Sequence, residues 1–131
     1  MLNEVTLIGR LACDPVFKEV SNGKSVCEIV LAISRPFKNQ RNHTYDVDYI
    51  KVTFWEYLAI NINEYCIKGC TVSVKARLQV RTITIGEKNI DILDVIGEQI
   101  IFICKPHKRN DSKDDEVVED IPFDEIKDAE L

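Results

Sequence analysis

Aromatic and basic residues alternate on one face of a predicted strand, the segment of the chain that most clearly suggests a chemical role. From residue 47 to residue 55, apolar and polar residues alternate, which predicts a strand with one buried face. The opposite face carries Tyr49, Lys51 and Trp55. Because aromatic rings stack on bases and cations neutralise phosphates, this face is typical of a surface for single-stranded nucleic acid. The alternative is that Trp55 packs under the helix that it precedes.

Basic residues form two further groups in the sequence. The predicted strand 71–84 alternates between valine-rich and basic positions, and the polar segment 35–46 is a predicted long loop with two more cations. Cations along a strand can follow a nucleic-acid backbone, although an ordinary solvated barrel face explains the row on 71–84 equally well. The predicted phosphate-binding residues are Lys38, Arg41, Lys51, Lys75, Arg77 and Arg81.

Cysteine and histidine spacing gives little support for a metal site. The five cysteines are an odd number, which argues against a disulfide framework in a chain with no predicted secretion signal. Cys66 and Cys70 are four residues apart and could share a helix face, but a zinc site would need two more ligands. The histidines are His43 and His107, both in polar segments. We expect small buried apolar cysteines, and we predict no metal and no cofactor.

Catalysis has no clear candidate residues either. Gly23-Lys24-Ser25 resembles the end of a phosphate-binding loop, but the position of that motif's first glycine is occupied by Lys18. A hairpin with Asn22-Gly23 at its turn explains the same residues. The sequence offers no serine–histidine–aspartate set. We therefore predict a binding protein without catalytic residues rather than an enzyme.

Hydrophobic periodicity divides residues 4–103 into strands and one helix. Apolar residues at helical spacing, followed by Gly69, predict the helix over 56–68. Five or six strands with one inserted helix predict an all-β protein. The specific prediction is an OB-fold, a five-stranded Greek-key barrel with the helix between barrel strands 3 and 4. The strands are predicted at 4–11, 16–20, 25–33, 47–55, 71–84 and 90–103, the last with a bend near Gly97.

Charge is distributed unequally along the chain. Residues 1–109 contain 15 basic and 12 acidic residues, whereas residues 110–131 contain 2 and 10, a net charge of −8. Such a charge run predicts a disordered acidic tail. The apolar group Ile121-Pro122-Phe123 is unexpected among these charges and suggests a docking site for another protein. We predict an OB-fold domain at residues 1–105 and a disordered, protein-interacting tail at residues 106–131.

Membrane and secretion segments are not predicted. The sequence contains no run of 18 or more apolar residues, the length that a membrane-spanning helix needs. The residues after Met1 contain neither the basic nor the apolar stretch of a secretion signal. The expected location is the cytoplasm, in association with the nucleoid.

Several segments match one known family in order. They begin with residues 3–11 and Asp14-Pro15 and continue over 29–33, 48–52, 58–65, 68–69 and 74–81. Together they resemble the bacterial single-stranded DNA-binding proteins, over about residues 2–103 and the acidic tail. The resemblance implies an OB-fold homotetramer that coats single-stranded DNA with little sequence preference in replication, recombination and repair.

The resemblance also assigns roles to particular residues. The family's stacking aromatics correspond to Phe37, Tyr49 and Trp55. A fourth corresponds approximately to Ile83, so one stacking position is missing, which suggests weaker binding per site or a different strand path. The residues that correspond to its subunit contacts are Asn3, Val5 and Leu7.

The tail departs from the family pattern. In the family, acidic residues and isoleucine-proline-phenylalanine end the chain, and replication and repair proteins bind the terminal carboxylate. Here Asp120-Ile121-Pro122-Phe123 is followed by eight more residues up to Leu131. We expect partners to bind the motif at this internal position with lower affinity, or to differ from those of the family. The alternative function is a primosome- or recombination-type OB-fold adaptor whose main role is protein contact.

Overall fold

The computed structural model describes residues 1–103, which form six strands and one helix. Cys104, His107 and the whole predicted tail lie outside the described residues, so the domain boundary at residue 105 remains a prediction. No helix within residues 1–103 is long and apolar enough to cross a membrane. The elements are β1 (Val5–Leu11), β2 (Val16–Glu19), β3 (Ser25–Lys38), β4 (Tyr45–Trp55), α1 (Glu56–Tyr65), β5 (Thr71–Ile85) and β6 (Lys88–Phe102).

The strands form one sheet that closes into a barrel. Their order is β1-β5-β6-β4-β3-β2, and an additional pairing of β1 with β3 joins the two sides. The strand β2 pairs with β3 outside this closed ring, so five strands make the barrel. The strands β4 and β6 run parallel, with Thr53 opposite Ile96, and the other pairs are antiparallel. The predicted all-β OB-fold with one helix is confirmed.

The barrel interior is filled by alternate residues of the strands and by one face of α1. Burial of these apolar side chains removes them from water and is the main stabilising contribution to such a fold. Gly97 of β6 faces this interior, where a Cβ would collide with the ring of Phe54. The largest fully buried side chains are Phe54, Leu11, Ile29, Leu31, Ile62, Val52, Val72, Val74 and Cys27.

The expectation of buried cysteines is correct for three of the described residues and wrong for Cys13, which is exposed in the connection after β1. Burial raises the pKa of Cys27 to about 11, with a smaller contribution from Glu28. A hydrogen bond with the Cys70 thiol and burial both raise the pKa of Cys66. Within residues 1–103, no group of three or more acidic, histidine or cysteine side chains could hold a metal ion.

Half of the segment predicted as a long loop, 35–46, belongs to strands. The strands β3 and β4 continue as a hairpin from Ser34 opposite Val47 to Lys38 opposite Tyr45, and only residues 39–44 connect them. The register shifts between these pairs, so β3 carries extra residues there. Such a bulge accommodates Pro36, which has no N–H for the strand ladder.

The helix α1 ends at Tyr65, three residues earlier than the predicted end at residue 68. Cys66 already has extended backbone angles, although its N–H still donates to the carbonyl of Ile62. Gly69 has φ +91°, and its N–H donates to the carbonyl of Leu11. The glycine therefore shapes the turn into β5 and not the helix end itself.

The strands β5 and β6 extend beyond the barrel as a two-stranded arm, defined here as residues 78–95. β1 pairs with β5 only as far as Ala76, whereas β5 and β6 remain paired out to Ile85 opposite Lys88. At the base of the arm, Glu98 forms a bulge, because Lys75 pairs with Gln99 while Ala76 pairs with Gly97. The bend that the sequence predicts near Gly97 thus corresponds to a change of register.

Candidate nucleic-acid interface

The outer face of β4 carries the aromatic and basic side chains that the sequence analysis singled out. Val52 and Phe54 are fully buried, so the alternating residues point away from the core. Tyr49 is 36% exposed and Trp55 is 41% exposed. The structure therefore does not place Trp55 fully beneath α1. The β4 strip, as we call this row, consists of Tyr45, Tyr49, Lys51 and Trp55.

The backbone at the end of β4 is held in an unusual conformation that sets the position of Trp55. Glu56, the next residue, has φ +55°, in the left-handed region that side chains other than glycine seldom adopt. Its carboxylate accepts a hydrogen bond from the backbone N–H of Ser25 at 3.3 Å. Trp55 itself lies opposite Val26 in the pairing of β3 with β4. These contacts fix the turn from β4 into α1 directly beside the indole.

The hairpin of β3 and β4 carries one aromatic of the strip, Tyr45, and one further aromatic, Phe37. Phe37 lies in the bulged part of β3 and is 62% exposed. Tyr45, directly opposite Lys38, is also exposed, and the Lys38 Nζ lies 5.9 Å from its ring centroid. Sequence reasoning missed Tyr45 because it began the strand at residue 47. The alternation that includes Tyr49 extends back to Tyr45 and is the signal that could have found it.

Four of the six predicted phosphate-binding cations are paired with carboxylates. Such surface pairs contribute little to stability, but they partly neutralise the cation that a phosphate would meet. No carboxylate within residues 1–103 lies at ion-pair distance from Lys38 or Arg41. The pairs are Lys51–Glu28 at 3.7 Å, Lys75–Glu4 at 3.4 Å, Arg77–Glu98 at 3.3 Å and Arg81–Asp94 at 2.6 Å.

The four paired cations are spread over three parts of the molecule, namely the β4 strip, the barrel part of β5 and the arm. Arg77 lies opposite Ile96, which in turn lies opposite Thr53, so Arg77 is two strands away from the β4 strip. At the strand spacing of sheets this is about 10 Å. Arg81 lies on the arm, and Lys75 pairs with Thr6 of β1 on the other side of β5. Only Lys51 lies within the strip itself.

The arm offers no stacking ring. Residues 78–95 contain no aromatic residue. Ile83, which corresponds approximately to the family's fourth aromatic, is half-buried and lies opposite Ile90. A cross-strand isoleucine pair therefore lies where the resemblance predicts the fourth stacking position.

The three residues assigned to subunit contacts make contacts within the chain. The Asn3 side chain donates to the Leu78 carbonyl at 2.7 Å and accepts from the Leu78 N–H at 2.9 Å. Leu7 packs against the core, and Val5 is half-buried. The alternate residue Ile8 points outward and is exposed.

An exposed ion pair stiffens the β3–β4 hairpin near Phe37. The Arg35 guanidinium donates to both carboxylate oxygens of Asp48, from Nε at 3.1 Å and from Nη2 at 2.9 Å. These hydrogen bonds lower the pKa of Asp48 and raise the pKa of Arg35. Because the carboxyl pKa is lowered, the pair's contribution is present above the usual carboxyl pKa and is lost as the pH falls through the lowered value.

A five-stranded OB barrel with an aromatic and basic outer strip defines an oligonucleotide-binding type of protein. Residues 2–103 match the model of the single-strand binding protein family. The chain belongs to that family, which confirms the resemblance seen in the sequence.

Individual relatives agree with this assignment. Single-stranded DNA-binding protein B of Bacillus subtilis (strain 168) is 35% identical over 111 residues, which cover 83% of this chain and 97% of that protein. The single-stranded DNA-binding protein of Halalkalibacterium halodurans is 35% identical over 104 residues, 79% of this chain but 61% of the relative. Single-stranded DNA-binding protein 1 of Staphylococcus aureus (strain Mu50) is 33% identical over 116 residues, 88% of this chain and 73% of the relative.

Proposed function

We propose that this protein binds single-stranded DNA with little sequence preference and without catalysing a reaction. The observation that carries the proposal is the β4 strip, where Tyr49, Lys51 and Trp55 point outward from a barrel strand. Every base has a face that can stack on an aromatic ring, so such a strip tolerates any sequence. The names of the relatives given above support the same ligand.

The proposed binding combines stacking with phosphate contacts. Phe37, Tyr49 and Trp55 stack on bases, each contributing roughly 1–3 kcal/mol. Each phosphate that a cation neutralises contributes about 0.7 to the slope of log affinity against log salt, so binding weakens as salt rises. The proposed phosphate contacts are Lys38, Arg41, Lys51, Lys75, Arg77 and Arg81.

We further propose that the chain acts as a homotetramer in the cytoplasm, associated with the nucleoid. Exposed apolar surface supports self-association, because Ile8 and Ile101 lie in one cross-strand row on either side of Ser73. The first strand then contributes to subunit contacts through its outward face and its backbone, with Asn3, Val5 and Leu7 holding it in place.

The acidic tail is proposed to bind replication, recombination and repair proteins through Asp120, Ile121, Pro122 and Phe123. The support is its sequence, an apolar group within a stretch of net charge −8. The tail would also compete weakly for the basic surface of the barrel. Deletion of residues 110–131 is therefore expected to leave DNA affinity unchanged or to raise it, and a large loss would contradict this division of roles.

The decisive test is a fluorescence titration, because Trp55 is the single tryptophan. Purified protein is titrated with oligo-dT of increasing length at low and high salt, with duplex DNA of matched length as the control. We expect quenching and submicromolar affinity for the single strands only. Tight binding without quenching would retain the function and remove Trp55 from the interface. Absence of binding at low salt would overturn the proposal.

A second candidate function is the OB-fold adaptor whose main role is protein contact. The arm favours it, since the Ile83–Ile90 pair lies where the resemblance predicts the fourth stacking position. The adaptor predicts single-strand affinity weaker than micromolar in the same titration.

A further inference from the structure

A carboxylate lies beside the only cation of the β4 strip. Glu28 of β3 lies opposite Thr53 of β4, so both share the outer face of the barrel. The Glu28 Oε2 is 3.7 Å from the Lys51 Nζ. Lys51 is the outward residue between Tyr49 and Thr53, and a phosphate between stacked bases would therefore approach this ammonium. Glu28 is already in contact with it.

The contact between Glu28 and Lys51 is loose enough to be exchanged. The distance is near the upper limit for an ion pair, and the two side chains are 30% and 55% exposed. Ion pairs of this exposed kind contribute little, because water and salt screen them. A phosphate can thus displace the carboxylate, but the free energy of the Lys51–Glu28 pair is then lost and lowers the net binding free energy.

The arm contains a pair of a different kind. Asp94 accepts from the Nε of Arg81 at 2.6 Å, and the Asp94 side chain is only 18% exposed. A guanidinium has five N–H donors in a planar fork, so Arg81 keeps its terminal nitrogens for a phosphate while Nε is engaged. Lysine has a single nitrogen that acts as a point charge. Competition with a phosphate is therefore expected at Lys51 more than at Arg81.

We propose that Glu28 is a built-in competitor of the nucleic-acid phosphate at Lys51. It limits the affinity of the β4 strip for single-stranded DNA and reduces the salt dependence of binding. The inference rests on the proposed function, since it concerns the same surface, and it assigns a role to an acidic residue that neither stacks on bases nor binds phosphate.

The effect on salt dependence follows from counterion exchange. A free cation that neutralises a phosphate releases about 0.7 of a counterion from single-stranded DNA. When the phosphate instead displaces Glu28 from Lys51, the freed carboxylate is again screened by cations from solution, which offsets part of that release. Removing the carboxylate is therefore expected to steepen the salt slope by at most about 0.7.

The test compares Glu28→Gln with Glu64→Gln. Both substitutions remove one negative charge, but Glu64 is exposed on α1 and has no ion pair within residues 1–103. Binding of fluorescein-labelled oligo-dT is followed by anisotropy over a series of salt concentrations, and thermal unfolding checks that each variant is folded. We expect Glu28→Gln to bind about 2- to 5-fold more tightly at low salt, with the steeper slope, and Glu64→Gln to match the wild type.

A double-mutant cycle with Lys51→Gln shows whether the gain acts through Lys51. In the Lys51→Gln background, adding Glu28→Gln is expected to give no gain. The proposal is overturned if Glu28→Gln matches Glu64→Gln, binds more weakly than the wild type, or retains its full gain without Lys51. Failure of the wild type and of Glu64→Gln to bind at low salt would instead refute the proposed function, and the inference with it.

Discussion

The β4 strip and the arm both face solvent with basic residues, yet the two regions are built for different contacts. The strip combines exposed aromatic rings with Lys51, whose carboxylate partner is loosely held. The arm has aliphatic side chains in cross-strand pairs, and one of its two cations, Arg81, is tightly bound to Asp94. At the hairpin beyond the strip, Lys38 and Arg41 have no carboxylate at ion-pair distance within the described residues.

Basic residues in a row are therefore not equivalent sites for phosphate. A cation that a neighbouring carboxylate neutralises adds less to affinity and to salt dependence than an unpaired one. Stacking, in contrast, depends on exposed rings, which β4 and the adjoining hairpin carry and the arm lacks. We therefore expect DNA affinity to be concentrated on the barrel side, with the arm in a supporting role.

The largest expected effect comes from removing a ring of the strip. Trp55→Ala is expected to weaken oligo-dT binding by about 1–3 kcal/mol, or roughly 5- to 150-fold, because a stacked base loses its platform. Anisotropy of labelled oligo-dT measures the change. Tyr65→Ala is the control, since Tyr65 is exposed at the opposite end of α1, ten residues after Trp55, and should leave binding unchanged. An equal loss in both variants would refute the special role of the strip.

A substitution where the arm enters the barrel tests the support beneath the strip. Gly97→Ala is expected to destabilise the fold by about 1–3 kcal/mol, because its Cβ would overlap the ring of Phe54 on the inner face of β4. Urea unfolding measures the loss. Gln99→Ala, at an exposed position two residues along β6, should change stability by no more than about 0.5 kcal/mol. Similar losses in the two variants would show that Phe54 can move aside.

The contrast between strip and arm can be reduced by adding a ring to the arm. Ile83→Tyr places an aromatic side chain on the same face as Arg81. We expect oligo-dT binding to tighten by about 1 kcal/mol, roughly 5-fold, which is the lower end of base stacking. Thr82→Tyr, on the opposite face, is the matched control and should give no gain. Equal gains would mean that the arm does not contact DNA through a particular face.

The smallest expected effect distinguishes paired from unpaired cations. Arg41→Gln should reduce the slope of log affinity against log salt by about 0.7, because it removes a proposed phosphate contact that has no carboxylate at ion-pair distance within residues 1–103. Arg81→Gln should reduce the slope by less, because Asp94 already neutralises part of that charge. Salt titrations of both variants with the same oligo-dT measure the difference. A larger decrease in the salt slope for Arg81→Gln than for Arg41→Gln would contradict the expectation that paired cations contribute less.

Much of the fold was predictable because the periodicity of apolar residues depends only on neighbouring positions in the sequence. Alternating apolar residues mark the inner face of a strand wherever it pairs, and the buried Val52 and Phe54 agree with that prediction. The helix was also predictable, but its end was not, since Cys66 turns extended to bring the chain back toward Leu11. Contacts between distant parts of the chain override local periodicity at such boundaries.

The length of the β3–β4 hairpin was not predictable for a related reason. Pro36 and the polar residues around it indicate a loop, but pairing with β4 keeps β3 extended through a bulge up to Lys38. That pairing places Phe37 and Tyr45 on one hairpin. Phe37 is identifiable from the sequence only through the family resemblance, and Tyr45 was not identified from it.

Strand alternation establishes which side chains share a face of each strand, because successive residues of an extended chain point in opposite directions. The residue types along β4 likewise establish its aromatic and basic chemistry. Which cations are neutralised depends on the folded barrel, because Lys51 contacts Glu28 and Arg81 contacts Asp94 through the register between separate strands. Register depends on barrel closure and on bulges, which join parts of the chain that no local pattern connects.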